Sequence, residues 1–363
     1  MEQLQKRQTA YITGLKGLAC VMVMVGHYLD IYGYASDFTP SIPLLDRLLR
    51  SSWSFLVNEQ YWLYLFFIVS GYLVSASSIC SVFSLLKKCF LRFLRLALPV
   101  LFSCGLIYLL SLTFGFHAGD TGSFFQCEWF QSCYLTSFSW LDVVKSPIET
   151  IVFRRPNFNP PYWVLRDMFL SSCLIYFIRL MSSRWIGEAS AIVTTLLAAV
   201  LYQKHPVIAA CLFGSLVWLL QGNCTFHNHR HCVSASLLLL SLLLFLLPSK
   251  ILSLIFFAAL LILIPELPCL DSLFSSRLFQ FLGRISWGIY SFHWPVCCSI
   301  GALIFIKLSL YVRLPSAYIL SLLLSAIVTV LISFLFYHSF EHLSGVLLWK
   351  INSALCAVTK KKG

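Results

Sequence analysis

The sequence predicts an all-α integral membrane protein with about ten transmembrane helices. Hydrophobic residues make up 59% of the 363 positions and charged residues only 11%, whereas a soluble domain carries roughly a quarter charged residues. Apolar stretches recur from residue 11 to residue 349, with no polar, core-forming block between them. These observations indicate a single transmembrane domain over 1–363 with no appended soluble domain.

The helix count follows from the apolar stretches. A bilayer core of roughly 30 Å requires about 20 mostly apolar residues per helix. The segments that meet this requirement are 11–33, 61–79, 92–114, 163–181, 185–203, 206–221, 232–247, 249–265, 285–306 and 317–340. The sequence therefore predicts ten spans, and the count depends most on the region 185–265, which carries few charges.

Lysine and arginine occur in short clusters between the apolar stretches, and the net charge is +12. Positive residues concentrate on the cytoplasmic side of membrane proteins. This bias accounts for the charge without a nucleic-acid partner, and it predicts a multi-pass protein of the plasma membrane with both termini cytoplasmic. The longest loop, about 115–162, is then extracytoplasmic.

Cysteine and histidine patterns favour neither a disulfide framework nor a metal site. No CxxC pair is present. Six of the 14 cysteines fall inside apolar runs, where cysteine behaves as a small buried hydrophobe: Cys20, Cys104, Cys173, Cys211, Cys297 and Cys298. Cys127 and Cys133 share the long loop, where a disulfide is the weaker alternative to two free thiols. His227, His229 and His231 are interpreted as a solvated loop, because partner ligands are missing from their surroundings in the sequence. No metal is expected.

The first apolar segment carries two ionisable residues, Lys16 and His27. Ionisable groups within a bilayer are costly and are functional candidates by default. Eleven residues are almost three helical turns, so both side chains project from one face about 16 Å apart along the axis. The alternative is a structural histidine that is hydrogen-bonded to a neighbouring helix.

The next two segments carry small and basic residues. Ser70 and Gly71 end an apolar run and permit close helix approach. Arg92 and Arg95 are three apart and lie on one helical face. Paired guanidinium groups suit phosphate binding. The alternative role for the arginines is membrane anchoring by positive charge.

Polar residues also mark the last two segments. Tyr290 and His293 are three apart, and Pro295 breaks the helical hydrogen-bond ladder beside them. These residues either line a cavity or only shape a helix bend. Glu341 ends the last segment, where it either pairs with a cation at the cytoplasmic mouth or forms a salt bridge that fixes the helix.

Four motifs in this order resemble the acyltransferase 3 family of membrane-bound O-acyltransferases, from about residue 8 to 345. The family's basic residue and histidine are met by Lys16 and His27. Its Phe-Phe-x-x-Ser-Gly-Phe/Tyr stretch is met by 66–72, its Arg-x-x-Arg motif by 92–95, and its Ser-Tyr-x-x-Tyr-x-x-His-x-Pro stretch by 286–295. The sequence departs from the family in having Lys16 where arginine is usual, Trp287 where tyrosine is usual, and Glu-His-Leu at 341–343 for Glu-x-Pro.

The resemblance also assigns an acceptor side. The segment around Trp163, Arg166 and Asp167 resembles a family variant in which these residue types mark the outer end of the fourth helix. These three residues are therefore expected to bind the acceptor. The sequence names no protein partner.

The resemblance implies transfer of an acetyl group from cytoplasmic acetyl-CoA to a hydroxyl of an extracytoplasmic or lipid-linked cell-surface polysaccharide, such as a bacterial capsule. Lys16, Ser70, Arg92 and Arg95 are expected to bind acetyl-CoA. His27 is expected to act as general base or as a covalent acetyl carrier, two mechanisms that the sequence does not separate. His293 and Tyr290 would orient His27 or donate a hydrogen bond to the thioester oxygen, and Glu341 would complete the catalytic set.

A transporter or flippase of glycan or small molecules is the rival interpretation, since it would also show many helices, intramembrane histidine and a broken helix. Against it, the sequence contains no inverted repeat and few acidic residues in the middle of apolar segments. Acyl transfer is therefore the favoured activity.

Overall fold

The computed structural model of the protein describes residues 10–33, 57–125, 127–183, 190–221 and 249–360, with isolated positions at 43, 47, 237 and 241. Every regular element in these ranges is a helix, as the composition predicts. One buried apolar core extends from Tyr11 to Phe336. The first and last thirds of the chain therefore share a core.

The N-terminal half contains long apolar helices and a group of short ones. The helices are α1 (Ala10–Gly33), α2 (Glu59–Ser75), α3 (Val82–Thr113), α4 (Ala118–Phe124), α5 (Glu128–Gln131), α6 (Trp140–Ile151), a 3-10 helix (Pro160–Val164) and α7 (Leu165–Met181).

The described part of the C-terminal half contains three shorter apolar helices and two long helical stretches that each include a π-helical turn. The elements are α8 (Ser190–Leu201), α9 (Pro206–Gln221), α10 (Lys250–Leu263), a 3-10 turn (Ile264–Glu266), α11 (Pro268–Phe274), α12 (Arg277–Arg284), α13 (Ser286–Val296), a π-helical turn (Cys297–Gly301), α14 (Ala302–Leu308), α15 (Leu314–Phe336), a second π-helical turn (Tyr337–Glu341) and α16 (His342–Lys360).

Four helical stretches within the described residues are long and apolar enough to cross a membrane: Ala10–Ile31, Val82–Thr113, Ser286–Leu308 and Leu314–Cys356. A fifth span is possible if α10 and α11, bent by 106° at their junction, count as one. The predicted spans near 61–79, 163–181, 185–203 and 206–221 are present as helices of 17, 17, 12 and 16 residues. The segment 232–247 lies outside the described ranges except for positions 237 and 241, so ten spans stay a prediction.

The third helix begins ten residues earlier than the sequence predicts, at Val82 instead of residue 92. The Ser81 side chain accepts a hydrogen bond from the Ser84 backbone N–H and caps this start. The apolar pattern alone places the start of this helix at residue 92, after Lys87 and Lys88. The Ser81 cap starts the helix earlier, so both lysines belong to it. Arg92 and Arg95 thus project from a rigid helix.

The predicted long loop 115–162 is largely folded into α4, α5 and α6. Ser139 and Asp142 form a capping box that begins α6, in which each side chain bonds the other residue's backbone N–H. These helices have 7, 4 and 12 residues, too short to qualify as apolar stretches of about 20 residues, so the sequence predicts a loop here. The consequence is a fixed position for the aromatic residues of this segment.

Two glycines set the crossing of α2 and α9. A Cβ atom on Gly71 would lie 1.8 Å from the Cys211 carbonyl oxygen, and one on Gly214 would lie 2.0 Å from that of Ile68. The backbones of the two helices therefore touch, as small residues permit in membranes. This contact fixes the helix that carries Ser70.

Replacing Gly71 by alanine should separate the two helices and lower the melting temperature of the purified protein in detergent. Overpacking of a tight contact costs about 1–3 kcal/mol. The control is Gly119→Ala, because a Cβ at Gly119 meets nothing within 4 Å. An unchanged melting temperature for Gly71→Ala would show that the crossing is looser than described.

Candidate active site

Two histidines that are far apart in the sequence meet in the fold. The imidazole of His27 on α1 stacks on that of His293 on α13, with ring centroids 5.3 Å apart and an interplanar angle of 13°. Packing of α1 against α13 brings them together, and the Tyr28 hydroxyl strengthens it by donating to the His293 carbonyl oxygen at 3.1 Å. The two predicted histidines are therefore in contact in the structure.

His293 is fully buried, and its proton position follows from its contacts. Its Nδ1 lies 2.9 Å from the Ile289 carbonyl oxygen. A carbonyl oxygen only accepts, so Nδ1 carries a proton. Its Nε2 is buried and has no hydrogen-bond partner among the described residues. His293 therefore stacks on His27 with one ring nitrogen, Nε2, that makes no hydrogen bond to the described residues.

Aromatic side chains surround the histidine pair. The rings of Trp294 and Trp129 lie 5.6 Å and 6.3 Å from that of His27, and the two tryptophans stack on each other at 4.3 Å. Trp129 belongs to α5, so the segment predicted as a loop contributes to the site. Trp129 cannot be recognised as a site residue from the sequence, because nothing in its local pattern separates it from other loop aromatics.

His27 opens onto a cavity of about 320 Å³. The wall is mainly aromatic and apolar, with a few polar groups, the composition typical of small-molecule sites. Its lining residues are His27, Glu59, Gln60, Leu63, Tyr64, Phe67, Trp129, Pro160, Pro161, Trp163, Pro206, Val207, Tyr290 and Trp294. The predicted residues His27, Tyr290 and Trp163 thus face one space.

Tyr290 and the turn at Pro161 fix one wall of this cavity. The buried Tyr290 hydroxyl donates a hydrogen bond to the Pro161 carbonyl oxygen, and the Asn159 side-chain amide donates to the Ser291 carbonyl oxygen at 2.8 Å. The 3-10 helix that begins at Pro160 is therefore tied to α13 at two points. Tyr290 orients this wall, which the resemblance did not imply.

The three predicted acceptor residues have different surroundings. Trp163 lies in the cavity wall, with the Arg154 guanidinium 5.5 Å above its ring. Asp167 is buried and pairs with the same arginine, at 3.7 Å between Nη2 and Oδ2. Arg166 is partly exposed on α7. Trp163 is thus placed to contact a ligand, and acceptor binding by Arg166 and Asp167 stays a prediction.

Arg92 is held by two serines. Its Nη2 donates to the Ser70 hydroxyl at 2.7 Å and its Nε to the Ser172 hydroxyl at 3.0 Å. Ser70 and Arg92 were predicted to share a site, and they are in contact. Ser172 was missed, because a lone serine in an apolar helix gives no signal in the sequence.

The remaining predicted charges lie together. Lys16, Arg95 and Glu341 are close enough for their charges to interact. Glu341 lies in the π-helical turn and lines a second cavity of about 430 Å³, with Tyr337, His342, Gly345, Val346 and Trp349. Basic groups beside a cavity can hold an anionic ligand.

Two acids near His27 were not predicted as site residues. Asp30 follows His27 by three positions on α1, and Glu59 is the first residue of α2. Ligand atoms of the two carboxyl groups and of His27 all lie within 4.8 Å of one another. The i, i+3 spacing of His27 and Asp30 was a usable signal, whereas the approach of Glu59 depends on tertiary packing.

Cys127 and Cys133 are free thiols, so the favoured of the two alternatives for these cysteines holds. The Cys133 thiol lies 3.2 Å from the Trp129 carbonyl oxygen. The cluster His227, His229 and His231 lies outside the described residues.

The arrangement combines a polar imidazole that faces a cavity with basic groups at the other end of the same helix. A family model for an acyltransferase domain, that of the acyltransferase 3 family, matches residues 9–338. No curated protein and no solved structure matches the chain. The family match contains all four sequence motifs and covers most of the 363 residues. The chain therefore belongs to the acyltransferase 3 family and is a membrane-bound acyltransferase.

Proposed function

We propose that the protein transfers an acetyl group from cytoplasmic acetyl-CoA to a hydroxyl of a cell-surface polysaccharide that is extracytoplasmic or lipid-linked. The observation that carries this proposal is the layout of α1. Lys16 joins a cluster of charges at one end, and His27 faces an aromatic-lined cavity further along the helix. Family membership favours acyl transfer over a transporter or flippase.

Acetyl-CoA would bind at the basic end. Positive charge for its phosphates would come from Lys16, Arg92 and Arg95. The guanidinium group of Arg92 is held in a fixed orientation by its hydrogen bonds to Ser70 and Ser172. Glu341 would balance the charge of Lys16 and Arg95 at the mouth of this site. The donor would then extend along α1 until its thioester reaches His27.

The acceptor would bind in the cavity of about 320 Å³. Trp129, Trp163 and Tyr290 offer flat apolar faces for the apolar faces of sugar rings, and Glu59 and Gln60 offer polar groups for hydroxyls. Arg166 and Asp167 lie on the adjoining helix, where they would contact a longer glycan.

In direct transfer, His27 accepts the proton of the acceptor hydroxyl as its oxygen attacks the thioester carbonyl carbon. The C–S bond then breaks, and the CoA thiolate takes the proton from His27. In the covalent alternative, a His27 nitrogen attacks the same carbon, the C–S bond breaks, and the CoA thiolate takes the proton that the acetylated ring gives up. The sugar oxygen then attacks the acetyl carbon, the bond to the imidazole breaks, and the hydroxyl proton passes to His27. Both routes use His293 and Tyr290 to hold the site around His27, and both proceed without a metal.

The proposal includes a topology. Ten spans with both termini cytoplasmic would place the lysine and arginine clusters on the inner side of the plasma membrane and the cavity of His27 toward the outer side. Such an arrangement would let one site take its donor and its acceptor from opposite sides.

Deleting the gene should remove ester-linked acetyl groups from one surface glycan fraction, and restoring the wild-type gene should return them. The measurement is mass spectrometry and proton NMR of purified glycan fractions from the three strains. Unchanged acetylation in every fraction would contradict the polysaccharide acceptor. In that case a different hydroxyl substrate would have to be sought for the same enzyme.

A further inference from the structure

Two acids that no motif marks lie close to His27: Glu59, which lines the same cavity, and Asp30, whose carboxyl group lies within 4.8 Å of both. We propose that Asp30 and Glu59 form a proton-sharing carboxyl pair that keeps one negative charge beside His27 and positions it for proton transfer. This inference rests on the proposed function, because it gives the pair a role in the acyl transfer carried by His27. Asp30 acts through His27 and Glu59 and is a positioning residue in this scheme, whereas Glu59 also lines the cavity where the acceptor would bind.

Close packing of α1 on the start of α2 creates the pair. A Cβ on Gly26 would lie 2.5 Å from the Val57 carbonyl oxygen and 2.8 Å from the Glu59 backbone nitrogen. This approach leaves the beginning of α2 in contact with the turn of α1 that holds His27 and Asp30. Three ionisable groups from two helices consequently meet within 4.8 Å.

The two carboxyl groups lie close together. A ligand oxygen of Asp30 lies within 4.8 Å of one of Glu59, and Glu59 is buried. Two carboxylates at this separation repel each other when both are ionised. Like charges in one poorly solvated site disfavour double ionisation. The pair therefore carries one net negative charge and one proton next to the imidazole.

A capping role does not account for Glu59. A negative charge at a helix N-terminus is favourable, yet the Asn58 side chain already caps α2 by accepting from the Gln60 backbone N–H at 3.0 Å. Glu59 is only 7% exposed, and within the described part of the chain its Oε2 has no hydrogen-bond partner. A buried carboxyl oxygen without a partner is costly. Its position in the wall of the acceptor cavity gives it a ligand to meet.

The carboxyl pair would act when the proton of the acceptor hydroxyl moves to His27. As His27 accepts the hydroxyl proton, its ring becomes a cation, and the negative charge beside it stabilises that form. The acetyl group passes from sulfur to oxygen, and the proton returns from His27 to the CoA thiolate. The pair gains and loses no proton over the cycle. Both acids therefore affect the rate of transfer and not the binding of the donor.

The first test is kinetic and uses the full-length protein purified in detergent. CoA release from acetyl-CoA is followed with surface polysaccharide of the deletion strain as acceptor. Glu59→Gln and Asp30→Asn should each lower kcat about 10²-fold, while KM for acetyl-CoA stays within about twofold because donor contacts are unchanged. The double variant should be no slower than the slower single variant, since the two acids act as a unit. Glu128→Gln, an exposed acid on α5, is the matched control.

The second test needs no activity. Infrared spectra of wild type should contain the C=O stretch of a protonated carboxyl group, and this band should be lost in Glu59→Gln and in Asp30→Asn. Its absence from wild type would overturn the inference, even if the protein proves inactive and the proposed function fails. An unaffected kcat in both variants, alongside an inactive His27→Ala, would overturn the inference and leave the proposed function standing.

A metal ion bound by His27, Asp30 and Glu59 is the alternative to a shared proton, since one histidine and two carboxylates form a donor set that zinc accepts. The same preparation therefore receives EDTA and then Zn²⁺. Activity unaffected by EDTA supports the carboxyl pair. Activity lost with EDTA and recovered with Zn²⁺ overturns it in favour of a metal site.

Discussion

Replacing His27 by alanine should lower acyl transfer about 10³-fold or more. Proton transfer by a positioned base contributes roughly 10²–10⁴-fold, and the covalent route would be lost entirely, because alanine carries no nucleophile. The measurement is CoA release from acetyl-CoA by the purified protein, with binding of CoA measured on the same preparation. CoA binding should persist, since the basic end of the site is untouched.

The matched control for this variant is His338→Ala. His338 is exposed, and its Nδ1 lies 3.0 Å from the Phe334 carbonyl oxygen one turn earlier in α15. Its loss should leave the rate unchanged. If His27→Ala instead kept more than about a tenth of the activity, the proton would have to pass through another group. His293, which stacks on His27, would then be the next histidine to replace.

Replacing Arg92 by alanine should raise the dissociation constant for CoA about 10²-fold. A hydrogen bond to a charged group contributes about 1.5–3 kcal/mol, and each 1.4 kcal/mol is tenfold in affinity. Arg92→Lys should recover only part of the lost CoA affinity. An ammonium group lacks the planar set of guanidinium N–H donors that bonds to Ser70 and Ser172. Calorimetric titration of the purified protein with CoA measures both variants.

Arg154→Ala provides the control for the loss of a guanidinium group. Arg154 contacts Trp163 and Asp167 near the other cavity, so CoA affinity should be unchanged. Equal affinity of Arg92→Ala and wild type would assign Arg92 to membrane anchoring, the alternative that its sequence position leaves open. Melting temperatures of all variants show whether the fold is retained.

The sequence predicts the helical class well, because composition and apolar length are averages over many residues. The ends of helices are harder to predict, since they depend on single side chains. The Ser81 cap moves the start of α3 to Val82, and the Ser139 capping box adds a helix to the predicted loop. Such contacts are local and polar, so they contribute little to an apolar pattern.

The candidate site was likewise predictable from the sequence only in part. Pairs on one helix follow from helical spacing, as for Lys16 and His27, and the family resemblance adds the meeting of His27 with His293. Asp30 was within reach of the same spacing argument. Glu59, Ser172 and Trp129 were not, because each enters the site through a contact between helices that no spacing in the chain encodes.

The stack of His27 on His293 has a consequence for biosynthesis. The neighbouring bond from Tyr28 to His293 spans 265 positions, so nearly the whole chain must leave the ribosome before the two rings meet. A nascent chain that has inserted only its early helices presents His27 without its stacking partner. A site that needs both rings is therefore complete only late in synthesis, once α13 has packed against α1.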